Sequence, residues 1–125
     1  MCRMGRSSWA AAPASVATPA RTEAAAGLPV GAFVQGLLIR YDPGAGIGWH
    51  RDRPQYGVVA GISLGSEVTL RLRRRIERGG FSRAALVLPP RSLYLLADEA
   101  RDGWEHSIAP VAETRRSITL RTLRA

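Results

Sequence analysis

The stretch EVTLRLR, Glu67 to Arg73, alternates Val68, Leu70 and Leu72 with Glu67, Thr69, Arg71 and Arg73. A β-strand turns successive side chains to opposite faces, so this period of two predicts one face on a core and one in water. The same reading extends in both directions. Upstream, VQGLLIRY (34–41) is stopped by Asp42-Pro43-Gly44, where proline fixes φ and glycine permits the turn. A short extended piece at 47–50 and the nearly all-apolar GVVAGISL (57–64) follow. Downstream, a charged connection over 73–80 leads to strands at 84–88 and 92–97, separated by Pro89-Pro90. One helical turn is expected at 98–103, and two last strands at 106–111 and 115–123. Seven or eight short strands with no long helix after residue 30 predict an all-β domain: a sandwich, barrel or jelly roll.

The whole chain is 125 residues with 46% hydrophobic content, enough for one packed core. Apolar runs begin only near Val34. Residues 1–33 are therefore read as a low-complexity leader or the remnant of a lid region, partly helical between interruptions at Pro13 and Pro19. Residues 34–125 are read as the domain. Cys2 is the only cysteine, so no disulfide contributes to the fold, which fits a reducing, cytoplasmic setting. No apolar run is long enough for a membrane span, and a monomer is expected.

Basic residues outnumber acidic ones by 18 to 10, giving a net charge of +8, and every basic residue is arginine. Arginine without lysine, beside abundant Ala, Gly and Pro, suggests a GC-rich, bacterial genome. A positive field favours polyanions, nucleic acid above all, although a solvated basic face accounts for the same charge. The run RLRRR singles out Arg71, Arg73, Arg74 and Arg75 as candidate phosphate contacts. The competing reading is an edge strand charged against sheet-to-sheet association.

The chain has two histidines. In His50-x-Asp52 the side chains lie two apart and share one face of a strand, so they can give a metal two ligands or simply bond each other. His106 would complete two histidines and one carboxylate, the facial set of non-haem Fe(II) oxygenases. In Arg115–Arg121 (RRSITLR) the residues Arg115, Ser117, Thr119 and Arg121 share a face. That face is either solvent or a polar interior whose two guanidiniums, roughly 20 Å apart along the chain, suit a co-substrate with two carboxylates.

The order RYDPGAGIGWHRD, GISLGSEVTL, LPPRSLYLL, WEHSI, RRSITLR resembles the AlkB family of Fe(II)- and 2-oxoglutarate-dependent dioxygenases across roughly Gly36 to Leu123. The resemblance implies a double-stranded β-helix, the jelly-roll core of that superfamily. It implies His50, Asp52 and His106 as iron ligands, Arg115 for the distal carboxylate of 2-oxoglutarate, Arg121 near its C1 carboxylate, and Tyr41 as a hydrogen-bond partner. It further implies dioxygen as co-substrate, with succinate and carbon dioxide as products. On an N-methyl group, hydroxylation releases formaldehyde, which points to alkylated DNA or RNA, and so to DNA repair, as the substrate class. A protein or small-molecule substrate and a non-catalytic metal- or nucleic-acid-binding form are the alternatives. Two positions depart from the family pattern: Ile39 replaces an asparagine and Pro54 replaces an acid that faces the base.

Overall fold

The computed structural model describes residues 2–4, 12–13 and 19–124. The elements in chain order are β1 (Cys2–Met4), β2 (Ala12–Pro13), α1 (Pro19–Ala26), β3 (Phe33–Tyr41), β4 (Ile47–His50), β5 (Tyr56–Gly65), β6 (Val68–Arg75), β7 (Phe81–Leu88), β8 (Ser92–Leu96), α2 (Asp98–Asp102), β9 (Glu105–Ile108) and β10 (Arg115–Leu123). The larger sheet runs β1-β8-β5-β10-β3, with β2 also on β8, and the smaller runs β4-β9-β6-β7. Pairing is antiparallel throughout except between β1 and β8. This is the expected all-β jelly roll.

The alternation in β6 does what the sequence predicts. Val68, Leu70 and Leu72 are buried between the sheets, beside Leu86 and Leu88 of β7, Ile108 of β9, and Val59, Tyr94 and Leu96 of the larger sheet. Burying side chains of this size contributes on the order of 1.5–3 kcal/mol each. A second apolar cluster, Ala60, Ile62, Leu93, Leu95 and Leu120, lies on the other face of the larger sheet with Ala26 of α1 packed against it. Alternate residues of β5 thus serve two different apolar layers, while β10 contributes Leu120 and Ile118 to the outer one, and only the inner layer reaches the site.

The hairpin between β6 and β7 is longer than the sequence pattern suggests. The charged connection expected over 73–80 shrinks to 76–80, because Arg73, Arg74 and Arg75 pair with Arg83, Ser82 and Phe81. At the other end, the strand expected over 106–111 stops at Ile108, ahead of Pro110. Within the stretch read as a leader, β1 and β2 pair with β8 and α1 brings Glu23 into the protein. The Glu23 carboxylate accepts the N–H groups of Gly31 and Phe33 at 2.9 and 2.8 Å, which fixes the entry into β3. Residues 1, 5–11 and 14–18 of that stretch lie outside the described residues. No helix among the described residues is long and apolar enough to cross a membrane.

Candidate functional site

His50 ends β4 and His106 lies on β9, and the two strands pair with these residues directly opposite. Their rings stand 4.2 Å apart between centroids. Asp52 follows β4 in an irregular segment, with Oδ1 3.8 Å from His50 Nε2 and 4.0 Å from His106 Nε2. One donor atom from each residue lies within 4.8 Å of the others. Neighbouring strands and a two-residue spacing therefore gather what 56 positions of sequence separate.

The surroundings of each donor suit a metal. His50 Nδ1 lies 2.8 Å from the Gly48 carbonyl. That contact assigns the proton to Nδ1 and turns the lone pair of Nε2 toward Asp52, the arrangement usual for a metal-bound imidazole. Burial, reinforced by His50, lowers the His106 pKa to about 4, against the opposing pull of Asp52. His106 is therefore neutral at physiological pH, as a ligand must be. The second oxygen of Asp52 accepts from Arg121 Nε at 2.6 Å.

β10 decides between the two readings of RRSITLR. Arg115, Ser117 and Thr119 are buried on the inner face, while Ile118 and Leu120 serve the outer apolar layer. The polar alternation faces the interior. Arg115 is 1% exposed. Its Nε donates to Ser63 Oγ at 3.0 Å, and its guanidinium carbon lies 5.0 Å from the Tyr41 ring centre. Nη2 is buried without a hydrogen-bond partner, and no carboxylate forms an ion pair with Arg115 among the described residues. A buried guanidinium left in that state is costly unless an anion joins it. Arg121 differs: besides Asp52, its Nη1 donates to Gln35 and Thr119, both at 3.1 Å.

These groups line a cavity of about 40 Å³ with Tyr41, Ser117, Thr119 and Tyr94, walled by Ile39, Ile47, Val59, Leu70 and Ile108. Ile39, which stands where the family pattern has an amide, is thus part of the apolar wall. Two further contributors are not singled out by the sequence motifs. Tyr94 on β8 lies opposite Gly61 of β5, and its ring occupies the space a Cβ at position 61 would need. Burial pushes its phenol up to about 12, so it remains a neutral hydroxyl. Arg101 of α2, 6% exposed, donates from Nη2 to the Asp52, Arg53 and Tyr56 carbonyls at 3.3, 2.7 and 2.8 Å. It pins the segment that carries Asp52. Only the nonlocal pairing of α2 with this segment exposes that role.

The candidate phosphate contacts divide. Arg71, Arg73 and Arg75 share the outer face of β6, where Arg71 bonds Ser107 and Arg73 pairs with Glu105 at 3.0 Å. Arg74 projects the other way, onto Glu99 and the Trp104 ring. Pro54 offers only its carbonyl, which accepts from Arg124 at 3.1 Å.

The chain matches the model of the 2OG-Fe(II) oxygenase superfamily over residues 3–124. It is similar to an uncharacterized protein of Acanthamoeba polyphaga mimivirus, 34% identical over 100 residues that cover 70% of this chain and 47% of that protein. Among solved structures it is similar to a Pseudomonas putida prolyl-4-hydroxylase, with a TM-score of 0.57, 21% identity, and 72% of this chain and 51% of that one covered. The chain spans about half the length of each, and the second likeness is one of fold.

Proposed function

The chain belongs to the 2OG-Fe(II) oxygenase superfamily, and we propose that His50, Asp52 and His106 hold its Fe(II) while Arg115, Arg121 and Tyr41 receive 2-oxoglutarate. Two imidazoles and a carboxylate within 4.8 Å of one another fit the metal. The buried, partnerless Nη2 of Arg115 fits a carboxylate of the co-substrate and is the observation that carries the reading. With dioxygen, the bound metal and co-substrate supply C–H hydroxylation coupled to conversion of 2-oxoglutarate into succinate and carbon dioxide.

The chain's own residues supply position and dryness. Arg115 would anchor a carboxylate of the co-substrate through Nη2, with Ser63 and the Tyr41 ring holding the guanidinium in place. Arg121 fixes the rotamer of Asp52 through Oδ2, leaving Oδ1 toward the histidines. Ile39, Val59, Leu70 and Ile108 keep water from the co-substrate's flank. Tyr94, as a neutral hydroxyl, offers one more donor in the pocket.

The substrate we assign is an N-alkylated nucleic acid, demethylated by hydroxylation with loss of formaldehyde, in the manner of the AlkB-like enzymes whose motif order the chain shares. The charge of +8 supports it. A second reading, hydroxylation of a peptide residue, is favoured by the fold likeness to a prolyl-4-hydroxylase. Succinate and formaldehyde should appear together when N-methylated single-stranded DNA or RNA is supplied with Fe(II) and 2-oxoglutarate. Succinate stimulated only by a proline or methyl-lysine peptide would replace the first reading with the second.

A further inference from the structure

The outer face of the smaller sheet, opposite the iron ligands, carries a patch that neither the core nor the proposed catalytic site requires. Arg71, Arg73 and Arg75 line up on β6, Arg83 stands on β7 directly across from Arg73, and Phe81 lies across from Arg75. Trp49 joins them from β4, one residue before His50. The guanidiniums stack on these two rings: Arg71 and Arg73 lie 5.3 and 4.4 Å from the centre of Trp49, and Arg73, Arg75 and Arg83 lie 4.3, 5.3 and 5.8 Å from that of Phe81. A groove beside them is lined by Trp49, Arg71, Leu72, Arg83, Ala84 and Ala85.

Folding alone does not account for the patch. Like charges directly opposite each other on a ladder destabilise it, and Arg73 and Arg83 form such a pair. Along these rows four guanidiniums meet one ion-paired carboxylate, Glu105 on Arg73. Edge protection would be served by charge without aromatic rings, whereas here every guanidinium of the row borders a ring. Cations alternating with aromatic faces are what unpaired nucleotides need: phosphates take the charge, and bases stack on ring or guanidinium planes.

We infer that this face is a platform for single-stranded nucleic acid, with Arg71, Arg75 and Arg83 on phosphates and Trp49 and Phe81 as base-stacking surfaces. Its length along β6, roughly 14 Å from Arg71 to Arg75, suits a few nucleotides. Trp49 and His50 lie on opposite faces of one edge strand, so a polynucleotide held here needs only to cross β4 to present a base to the iron site. The inference deepens the nucleic-acid reading of the substrate and rests on it for its purpose, but its test reads binding alone.

Fluorescence anisotropy with a labelled, unmodified single strand of about 15 nucleotides is the test. Wild-type protein should bind with a log–log salt slope of about −2, as for three phosphates. Arg75→Gln/Arg83→Gln should weaken binding at least about 10-fold and flatten the slope to about −0.7, as for one phosphate. Phe81→Leu, which keeps all the charge, should weaken single-strand binding several-fold while leaving duplex binding unchanged. Absence of wild-type binding at low salt, or equal binding of single strand and duplex that is indifferent to Phe81→Leu, would overturn the platform. The two proposals fail separately. A methylated strand demethylated with the same KM by Arg75→Gln/Arg83→Gln would discard the platform and keep the substrate. Platform-dependent binding with no turnover of any methylated strand would do the reverse.

Discussion

Two strands of this protein carry arginines at alternate positions, and the two sets do opposite things. On β10, Arg115 and Arg121 point inward, one buried beside Ser63 and Tyr41 with a nitrogen unsatisfied, the other braced on Asp52. On β6, Arg71, Arg73 and Arg75 point outward and rest on aromatic rings. The sequences RSITLR and TLRLRR look alike in composition. The difference lies in which parity is apolar and what faces it: β10 has apolar material on its outer side, under Ala26 and Phe33, so its polar side must close over the pocket. A guanidinium in the interior needs an anion to justify its burial, whereas one at the surface needs nothing and can bind loosely.

The contrast can be broken most severely at the metal. His106→Ala should reduce succinate production by at least about 100-fold, since it removes a proposed ligand; retention of more than a tenth of the wild-type rate would remove His106 from the site. Next comes the interior arginine. In Arg115→Met a buried charge without a carboxylate gives way to an apolar chain of similar length, so the protein free of co-substrate should keep or gain thermal stability. 2-Oxoglutarate should stabilise wild type by about 2.7 kcal/mol at 100 times Kd, and the variant should lose that stabilisation. Thermal melts with and without 2-oxoglutarate check both halves, and a large fall in stability without ligand would mean that Arg115 is a structural residue.

Smaller effects sharpen the comparison. Gly61→Ala forces a methyl into the Tyr94 ring and should cost about 1–3 kcal/mol in urea unfolding. Arg101→Met should leave the fold intact but weaken Fe(II) affinity about 10-fold, because the segment carrying Asp52 loses three carbonyl contacts. The outer row should matter least: Arg83→Gln should change stability by no more than about 0.5 kcal/mol, with a gain if repulsion from Arg73 dominates.

Much of this was legible in the chain because it rests on local periodicity. The eight strands from β3 to β10 and the inner and outer parity of β6 follow from a repeat of two, whereas Asp52, expected on a strand with His50, lies past the end of β4 and reaches it from an irregular segment. Even the separate course of Arg74 follows from parity, since it is the one even-numbered residue among the four candidates. His106 and the inward turn of Arg115 required the motif order, because periodicity left both faces of β10 open. Tyr94, Arg101 and the grouping of Trp49, Phe81 and Arg83 were not legible. Each depends on which strands become neighbours or on α2 folding back over residues 52–56, and no local pattern encodes such a contact.

We propose one pocket that holds Fe(II) between His50, Asp52 and His106 and takes 2-oxoglutarate against Arg115. Anaerobic addition of Fe(II) and 2-oxoglutarate, followed by visible absorption, tests it most directly. A charge-transfer band should appear with wild type, vanish in His106→Ala, and require far more 2-oxoglutarate in Arg115→Met. No band with wild type, or an undiminished band in His106→Ala, would contradict the assignment.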